Sequence, residues 1–476
     1  MIIKKTLIQS KETISLSLLA DIMSVSKRTV ESWEKNGKIK PFKNGRYSLS
    51  SLNEFPQVKA MLESNWEEEQ KIKPIRKYNS IELFAGAGGL AIGLEKAGFN
   101  AIALNEIDKN ACNTLRANRP NWNVLEGDIS SIDFSIYKNI DFLSGGFPCQ
   151  AFSYAGNKLG FEDTRGTLFF EFARAIKEIK PKVFLGENVR GLLTHDSGKT
   201  LRAIKTVIQE LGYTLIEPKV LKAIFYRVPQ KRERLLLVCI RNDLVKYANF
   251  EWPAPFNKVL TLKDALKKGA LYNSNCPESQ GQLYPERKKE ILSMVPPGGC
   301  WVDLPDDVQR EYMKKSYFMG GGKTGMARRL SFDNPSLTLT CAPAQKQTER
   351  CHPEETRPLN VREYARVQTF PDDWEFMGSV SSQYKQIGNA VPVNLAHAMG
   401  RKLIALLNNI EDCNLVVKNY QIEEKEMCLF ESKSRYQKTP DKKTRTIDLG
   451  VNYPKGQSVC RNLNVCKYCN TCNGEL

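Results

Sequence analysis

Along residues 79–252 short apolar runs alternate with amphipathic ones. Ser80–Gly88 (SIELFAGAG), Ile140–Phe147 (IDFLSGGF), Lys182–Val189 (KVFLGENV) and Arg234–Ile240 (RLLLVCI) have the length and β-branched or aromatic content of buried strands. Thr167–Ile179 and Thr200–Leu211 place apolar residues three and four apart, the spacing of a helix with one buried face. Strands alternating with helices predict an α/β fold with a doubly wound, mixed but mostly parallel sheet, Rossmann-like in class. The rhythm breaks over 257–356, where Gly, Pro, Lys and Arg dominate, and returns over 357–409. Residues 1–64 read as a helical module, 65–78 as a charged linker, 79–256 as the main domain, 257–356 as a smaller loop-rich domain, 357–409 as a return to the main domain, and 410–476 as a charged tail.

Composition narrows the partners. The 476-residue chain carries 70 Lys plus Arg against 53 Asp plus Glu, a formal +17. That excess favours a polyanion, most simply nucleic acid, although a merely soluble basic protein fits it as well. No apolar run is long enough to span a bilayer and the first residues lack a signal-peptide pattern, so the expected compartment is the cytoplasm, with no membrane partner. The odd total of 13 cysteines, most of them scattered, suits isolated thiols in a reducing compartment.

Candidate chemistry gathers at the ends of the expected strands. The first runs into Ala85-Gly86-Ala87-Gly88-Gly89 and then a helix, a turn that sets ligand atoms against bare backbone at a helix N-terminus. Its spacing is not that of the dinucleotide fingerprint. The second ends at Glu106-Ile107, where a carboxylate suits a ribose diol, and the third at Asp128-Ile129, where one suits an adenine amino group. The fourth ends in Gly145-Gly146-Phe147-Pro148-Cys149-Gln150, a sharp turn able to present a thiol. Such a thiol is either a nucleophile or a buried structural cysteine.

GGFPCQAFSYAG together with FAGAGG strongly resembles the cytosine-5 DNA methyltransferases. Later blocks agree in order: GENVRG at 186–191, VPQKRER at 228–234, RPLNVREYARVQTFPDDW at 357–374 and QIGNAVPVNLA at 386–396. The resemblance covers 79–409 apart from the variable middle and implies the S-adenosylmethionine-dependent methyltransferase fold. It implies Cys149 as the thiolate that adds to cytosine carbon 6, Glu187 as the acid at nitrogen 3, Arg234 on the cytosine carbonyl, and Arg232 near the backbone phosphate and the acid. By the same carry-over Phe84, Gly86, Gly88, Gly89, Glu106, Ile107, Asp128, Ile129, Pro148, Leu168, Asn389 and Val391 hold S-adenosylmethionine, and Gln150 and Ser153 lie on a loop that closes over DNA. Arg232 and Arg234, two apart on a strand, share a face and are expected to point into one cleft. One departure is Arg227, where relatives usually carry Gly.

The middle domain should read double-stranded DNA, with Lys323, Arg328 and Arg329 among its contacts. Near the start, helices over Ser15–Met23 and Lys27–Lys35 followed by a hairpin-like wing resemble the helix-turn-helix of the excisionase or MerR kind, with Lys27, Arg28 and Thr29 opening the recognition helix. That arrangement is also compatible with an oligomer contact. Cys460, Cys466, Cys469 and Cys472 could enclose a structural zinc, although two separated pairs are the usual pattern. The expectation is a monomeric modification enzyme, partnered functionally by a restriction endonuclease, with control of a promoter as a use for the first 64 residues. A transfer-RNA cytosine methyltransferase and a non-catalytic DNA-binding regulator are the alternatives.

Overall fold

The computed structural model describes residues 13–42, 44–148, 168–319 and 325–412. The module at the start has strands β1 (Thr13–Ile14) and β2 (Tyr47–Ser48) and helices α1 (Leu16–Met23), α2 (Lys27–Lys35) and α3 (Pro56–Leu62). Ser15 and Ser26 cap α1 and α2 through their side chains, and Ser24 turns the chain between the helices in a left-handed conformation (φ 59°). The wing differs from expectation: Tyr47–Ser48 pairs with Thr13–Ile14, and helical turns follow it. Leu18, Leu19, Ile22, Val30, Tyr47 and Val58 form a core that also includes Ile224 from the main domain and Val259 from the start of the middle domain.

The linker expectation is corrected. Trp66–Glu69 forms helix α4, and Trp66 is buried in the core of the main domain. Glu69 is buried as well and pairs with Lys402 at 3.5 Å. The run of acidic residues suggested solvent exposure, but a tryptophan beside them anchors the strap.

The main sheet holds β3 (Tyr78–Leu83), β4 (Phe99–Glu106), β5 (Val124–Glu126), β6 (Phe142–Gly145), β7 (Val183–Asn188), β8 (Tyr213–Leu215), β9 (Lys219–Lys222) and β11 (Glu233–Arg241). The order is β5-β4-β3-β6-β7-β11-β8, with β9 also on β11. The first five are parallel, whereas β11 runs antiparallel to β7, β8 and β9. The sheet is thus mixed and mostly parallel, as expected. Its order reverses between β3 and β6, where open sheets hold their ligands.

Alternation on β11 shows why the sheet is covered twice. Leu235, Leu237 and Cys239 pack in one core with α7 (Leu168–Ile179) and α8 (Lys199–Glu210). Leu236, Val238 and Ile240 pack in the other, with α5 (Gly89–Ala97) and the chain that is helical through 393–412. Residues from 393 onward thus return to lie beside α5, the helix that follows the first strand of the main sheet. Helix α6 (Lys109–Asn118) links β4 and β5.

The short strand β10 (Gln230–Lys231) pairs in parallel with β12 (Ser336–Leu337), tying the middle domain to the arginine strand. That domain is loop-rich, with helices α9 (Leu262–Leu266), α10 (Glu286–Ser293) and α11 (Asp306–Met313). It keeps a small core of its own around Tyr284, Leu292, Val295, Tyr312 and Cys351. Helices α12 (Val361–Val367) and α13 (Val380–Asn389) then pack against the start of α5.

Candidate active site

The ends of β3, β4 and β5 build one cradle. Phe84 and Gly86 adopt left-handed conformations (φ 58° and 55°), and Gly88 (φ 85°) precedes the first turn of α5. Glu106 ties this loop to its own strand: one carboxylate oxygen accepts from Gly86 N at 2.7 Å, the other from Ile107 N at 2.9 Å and Asp108 N at 2.8 Å. A carboxylate has about four acceptor directions, so one remains for a ligand hydroxyl. Asn105, which is buried, donates to the carbonyls of Leu125 and Gly127 at 3.1 Å each and fixes the third strand end. A Cβ on Gly86 or on Gly127 would meet nothing within 4 Å, so open space lies over both. Ile107, an apolar side chain, is 68% exposed at the rim. An adenosyl group fits this donor set: bare backbone, a ribose-facing carboxylate and an apolar flank.

The far end of the chain closes the cradle. A Cβ on Gly89 would run into the Val391 carbonyl and lie 3.0 Å from the Ala390 side chain. One on Gly88 would come 3.2 Å from Trp374. The glycine pair therefore admits the returning segments, and Asn389 stands beside it, its Oδ1 3.1 Å from the Cys341 sulfur.

Ile129 is buried in the hydrophobic core and Val391 is also buried, so the Val391 backbone, rather than its side chain, reaches the loop. Asp128 uses one oxygen to cap the turn at Ser130 (2.8 Å), which holds its carboxyl below the usual range. Leu168 opens α7, and Pro148 is exposed.

Beside the cradle lies the acid. Glu187 stands at the end of β7 and is ion-paired with Arg234 of β11. A Cβ on Gly146 would lie 2.8 Å from a Glu187 oxygen, so this carboxylate sits directly against the turn that leads to Pro148. The buried Asn188 holds the same turn by donating to the Phe147 carbonyl at 2.8 Å. Asn188 belongs to the GENVRG stretch, but nothing in the sequence marks it as a turn holder; Glu187 stands out beside it because only a carboxyl can carry a proton.

Arg232 is corrected. It is 2% exposed and donates to the carbonyls of Leu339 (3.2 Å), Gly388 (3.0 Å) and Asn389 (3.4 Å). It clamps two returning segments instead of facing a phosphate, and burial pushes its pKa down to about 9. The strand breaks at this residue, between β10 and β11, so the simple two-residue alternation does not carry across it.

Arg329 is corrected too. It is buried and donates to the Val295 carbonyl at 3.3 Å and to Thr356 at 2.6 Å. Arg328 donates to the Gly298 carbonyl at 3.1 Å from a half-buried position. Lys27 and Arg28 are exposed at the start of α2, and Thr29 hydrogen-bonds Ser26 in the cap. Arg227 is left-handed (φ 55°), so it keeps the backbone that its glycine counterparts favour, with its guanidinium on the Ala270 carbonyl at 2.6 Å.

Cys149, Gln150, Ser153 and Lys323 lie outside the described residues, as do Cys460, Cys466, Cys469 and Cys472. Among the described residues no group of His, Cys, Asp and Glu is arranged to hold a metal ion, and no helix is long and apolar enough to cross a membrane.

This geometry, a nucleoside cradle closed by the end of the chain with a carboxylate–arginine pair beside it, has the layout of a nucleic-acid methylase. The chain belongs to the C-5 cytosine-specific DNA methylase family, whose profile matches residues 78–405. It is 65% identical over 406 residues to the Type II methyltransferase M.Eco47II of Escherichia coli, covering 84% of this chain and 97% of that one. It is 62% identical over 400 residues to M.PspPI of a Psychrobacter strain, covering 83% and 96%. A solved structure of a prophage-encoded protein from E. coli, assigned as a DNA modification methyltransferase, shares the fold with a TM-score of 0.54 at 24% identity, covering 70% of this chain and all of that one. Family membership brings S-adenosylmethionine as the methyl donor, and the cradle fits it.

Proposed function

We propose that this chain methylates carbon 5 of a cytosine within a short specific site in duplex DNA, as the modification half of a Type II restriction–modification system in the cytoplasm, working as a monomer. The observation that carries the reading is the Glu187–Arg234 pair set against the Gly146–Pro148 turn, one residue short of Cys149.

Carbon 5 of cytosine is a poor nucleophile. Addition of the Cys149 thiolate to carbon 6 makes the ring enamine-like, and Glu187 holds a proton at nitrogen 3 so that the ring nitrogen does not carry the added charge. Arg234, which orients Glu187, donates to the cytosine carbonyl oxygen. Bound S-adenosylmethionine supplies an electrophilic methyl group. Loss of the carbon-5 proton with expulsion of the thiolate then restores the ring. A stacked base offers none of these atoms, so the cytosine has to leave the helix, with Gln150 and Ser153 following Cys149 over the DNA. Glu106, Gly86 and Asn389 orient the donor.

The middle domain selects the site, with Lys323 and Arg328 as candidate contacts. The first 64 residues act as a further DNA-binding element, with control of the enzyme's own promoter as one use. Cys460, Cys466, Cys469 and Cys472 are proposed as a zinc site on their spacing alone, which metal analysis of reduced protein tests. Bisulfite sequencing of plasmid from expressing cells should show one fully methylated sequence. A 5-fluorocytosine duplex of that sequence should cross-link to the enzyme irreversibly, and not to a Cys149→Ser variant. Full methylation by Cys149→Ser would overturn the mechanism.

A further inference from the structure

A cleft of about 430 Å³ lies where three parts of the molecule meet. One wall is the C-terminal end of α1 and the turn into α2 (Ala20, Asp21, Ser24, Val25). The other wall is Val189, Arg190 and Gly191, which follow Glu187 and Asn188, and the floor includes Lys222 and the stretch Lys231 to Arg234. Thr338 of the middle domain completes it. The cleft therefore reaches Arg234 of the catalytic ion pair and is walled on one side by the amino-terminal module.

Its chemistry suits phosphate. Its lining is net basic, with five Lys or Arg against two acidic residues, although Lys231 is paired with Asp21 at 2.7 Å, Arg190 with Glu233 at 3.0 Å and Arg234 with Glu187. Helix α2 begins two residues after Val25, with Lys27 and Arg28 exposed. The module is not loosely tethered, since Ile224 and Val259 are part of its core.

We propose that the amino-terminal helix pair is part of the surface that holds the substrate duplex, gripping the flank of the target site next to the base in the catalytic pocket. Lys27 and Arg28 from α2, with Arg190 and Lys222 from the catalytic domain, form one phosphate-contacting rim. This rests on duplex DNA being the substrate, and goes beyond promoter binding because it makes methylation itself depend on the module.

The test uses the full chain and three duplexes carrying the mapped site: one with long flanks, and two with one or the other flank cut back to the site's edge. The KM for DNA is measured across a salt series. Trimming one flank, and only one, should raise the wild-type KM roughly ten-fold, and Lys27→Ala/Arg28→Ala should show the same rise on the long duplex. The variant's slope of log KM against log salt should fall by about 2, near one unit for each phosphate that is no longer neutralised. Lys59→Ala, a charge removed from the exposed side of α3, should match the wild type. Equal KM on all three duplexes, an unaltered double variant, or an equal effect of Lys59→Ala each overturns the proposal. Absence of methyl transfer by the wild type on any duplex would instead overturn the DNA-methylase reading.

Discussion

Glu82 and Glu187 show how position decides what a carboxyl does. Glu82 sits in the middle of the sheet, opposite Ser144 on β6, buried, with one oxygen lacking a partner and the Ser144 hydroxyl likewise without one. Desolvation raises its pKa well above the ordinary 4.5, opposed only by the Ala91 N–H. The folded chain therefore keeps this proton to higher pH than the unfolded chain, which releases it once pH passes the carboxylate range. The folded state binds more protons, so this group's contribution to stability is full at low pH and shrinks as pH rises. Glu82→Gln removes the penalty. The melting temperature of the variant relative to wild type should rise between about pH 5 and about pH 8; a flat or falling difference would show Glu82 ionised in the fold. Glu187, in contrast, has Arg234 against it and faces the turn that leads to Cys149. Glu187→Gln keeps the shape but cannot release a proton to nitrogen 3, so kcat should fall roughly 10²–10⁴-fold with KM for DNA little changed. Near wild-type kcat would remove Glu187 from the chemistry.

At the scale of elements, much was legible because apolar period and turn chemistry agreed. The strands β3, β6, β7 and β11 and the helices α7 and α8 fall on the predicted runs, and the cradle sits at three strand ends as expected. The misses share a cause. Periodicity reports which way a residue points within one element, not what a distant element brings to it. Arg232 is claimed by carbonyls more than a hundred residues away, and Trp66 by the return of the helix over 393–412. The contact of α5 with Val391 is another such joint, and it hinges on Gly89. A methyl group there collides with backbone, which cannot move aside as a side chain can. Gly89→Ala should cost about 1–3 kcal/mol of stability and weaken S-adenosylmethionine binding together, because the same loop serves both. Thermal melts with and without the donor check this; lost stability with unchanged donor affinity would separate the joint from the cradle.

The whole molecule is basic, yet its positive charge is not spread where composition suggested. In the middle domain Arg287 pairs with Glu311 and Glu290, and Lys288 with Glu349. Arg329 and Arg350 are buried on carbonyl groups. These cations hold the domain's loops together in place of a large core, so a count of Lys and Arg overstates the charge free to meet a polyanion. A cation that already donates to protein carbonyls releases no counterion when DNA arrives, so it adds nothing to the salt dependence of binding. Arg329→Ala should therefore act on folding: it leaves Val295 and Thr356 without their charged partner, at about 1.5–3 kcal/mol for each such bond. Denaturant melts should show that loss, while the slope of log KM for DNA against log salt stays at the wild-type value. A slope lower by about one unit, with stability unchanged, would return Arg329 to the DNA surface.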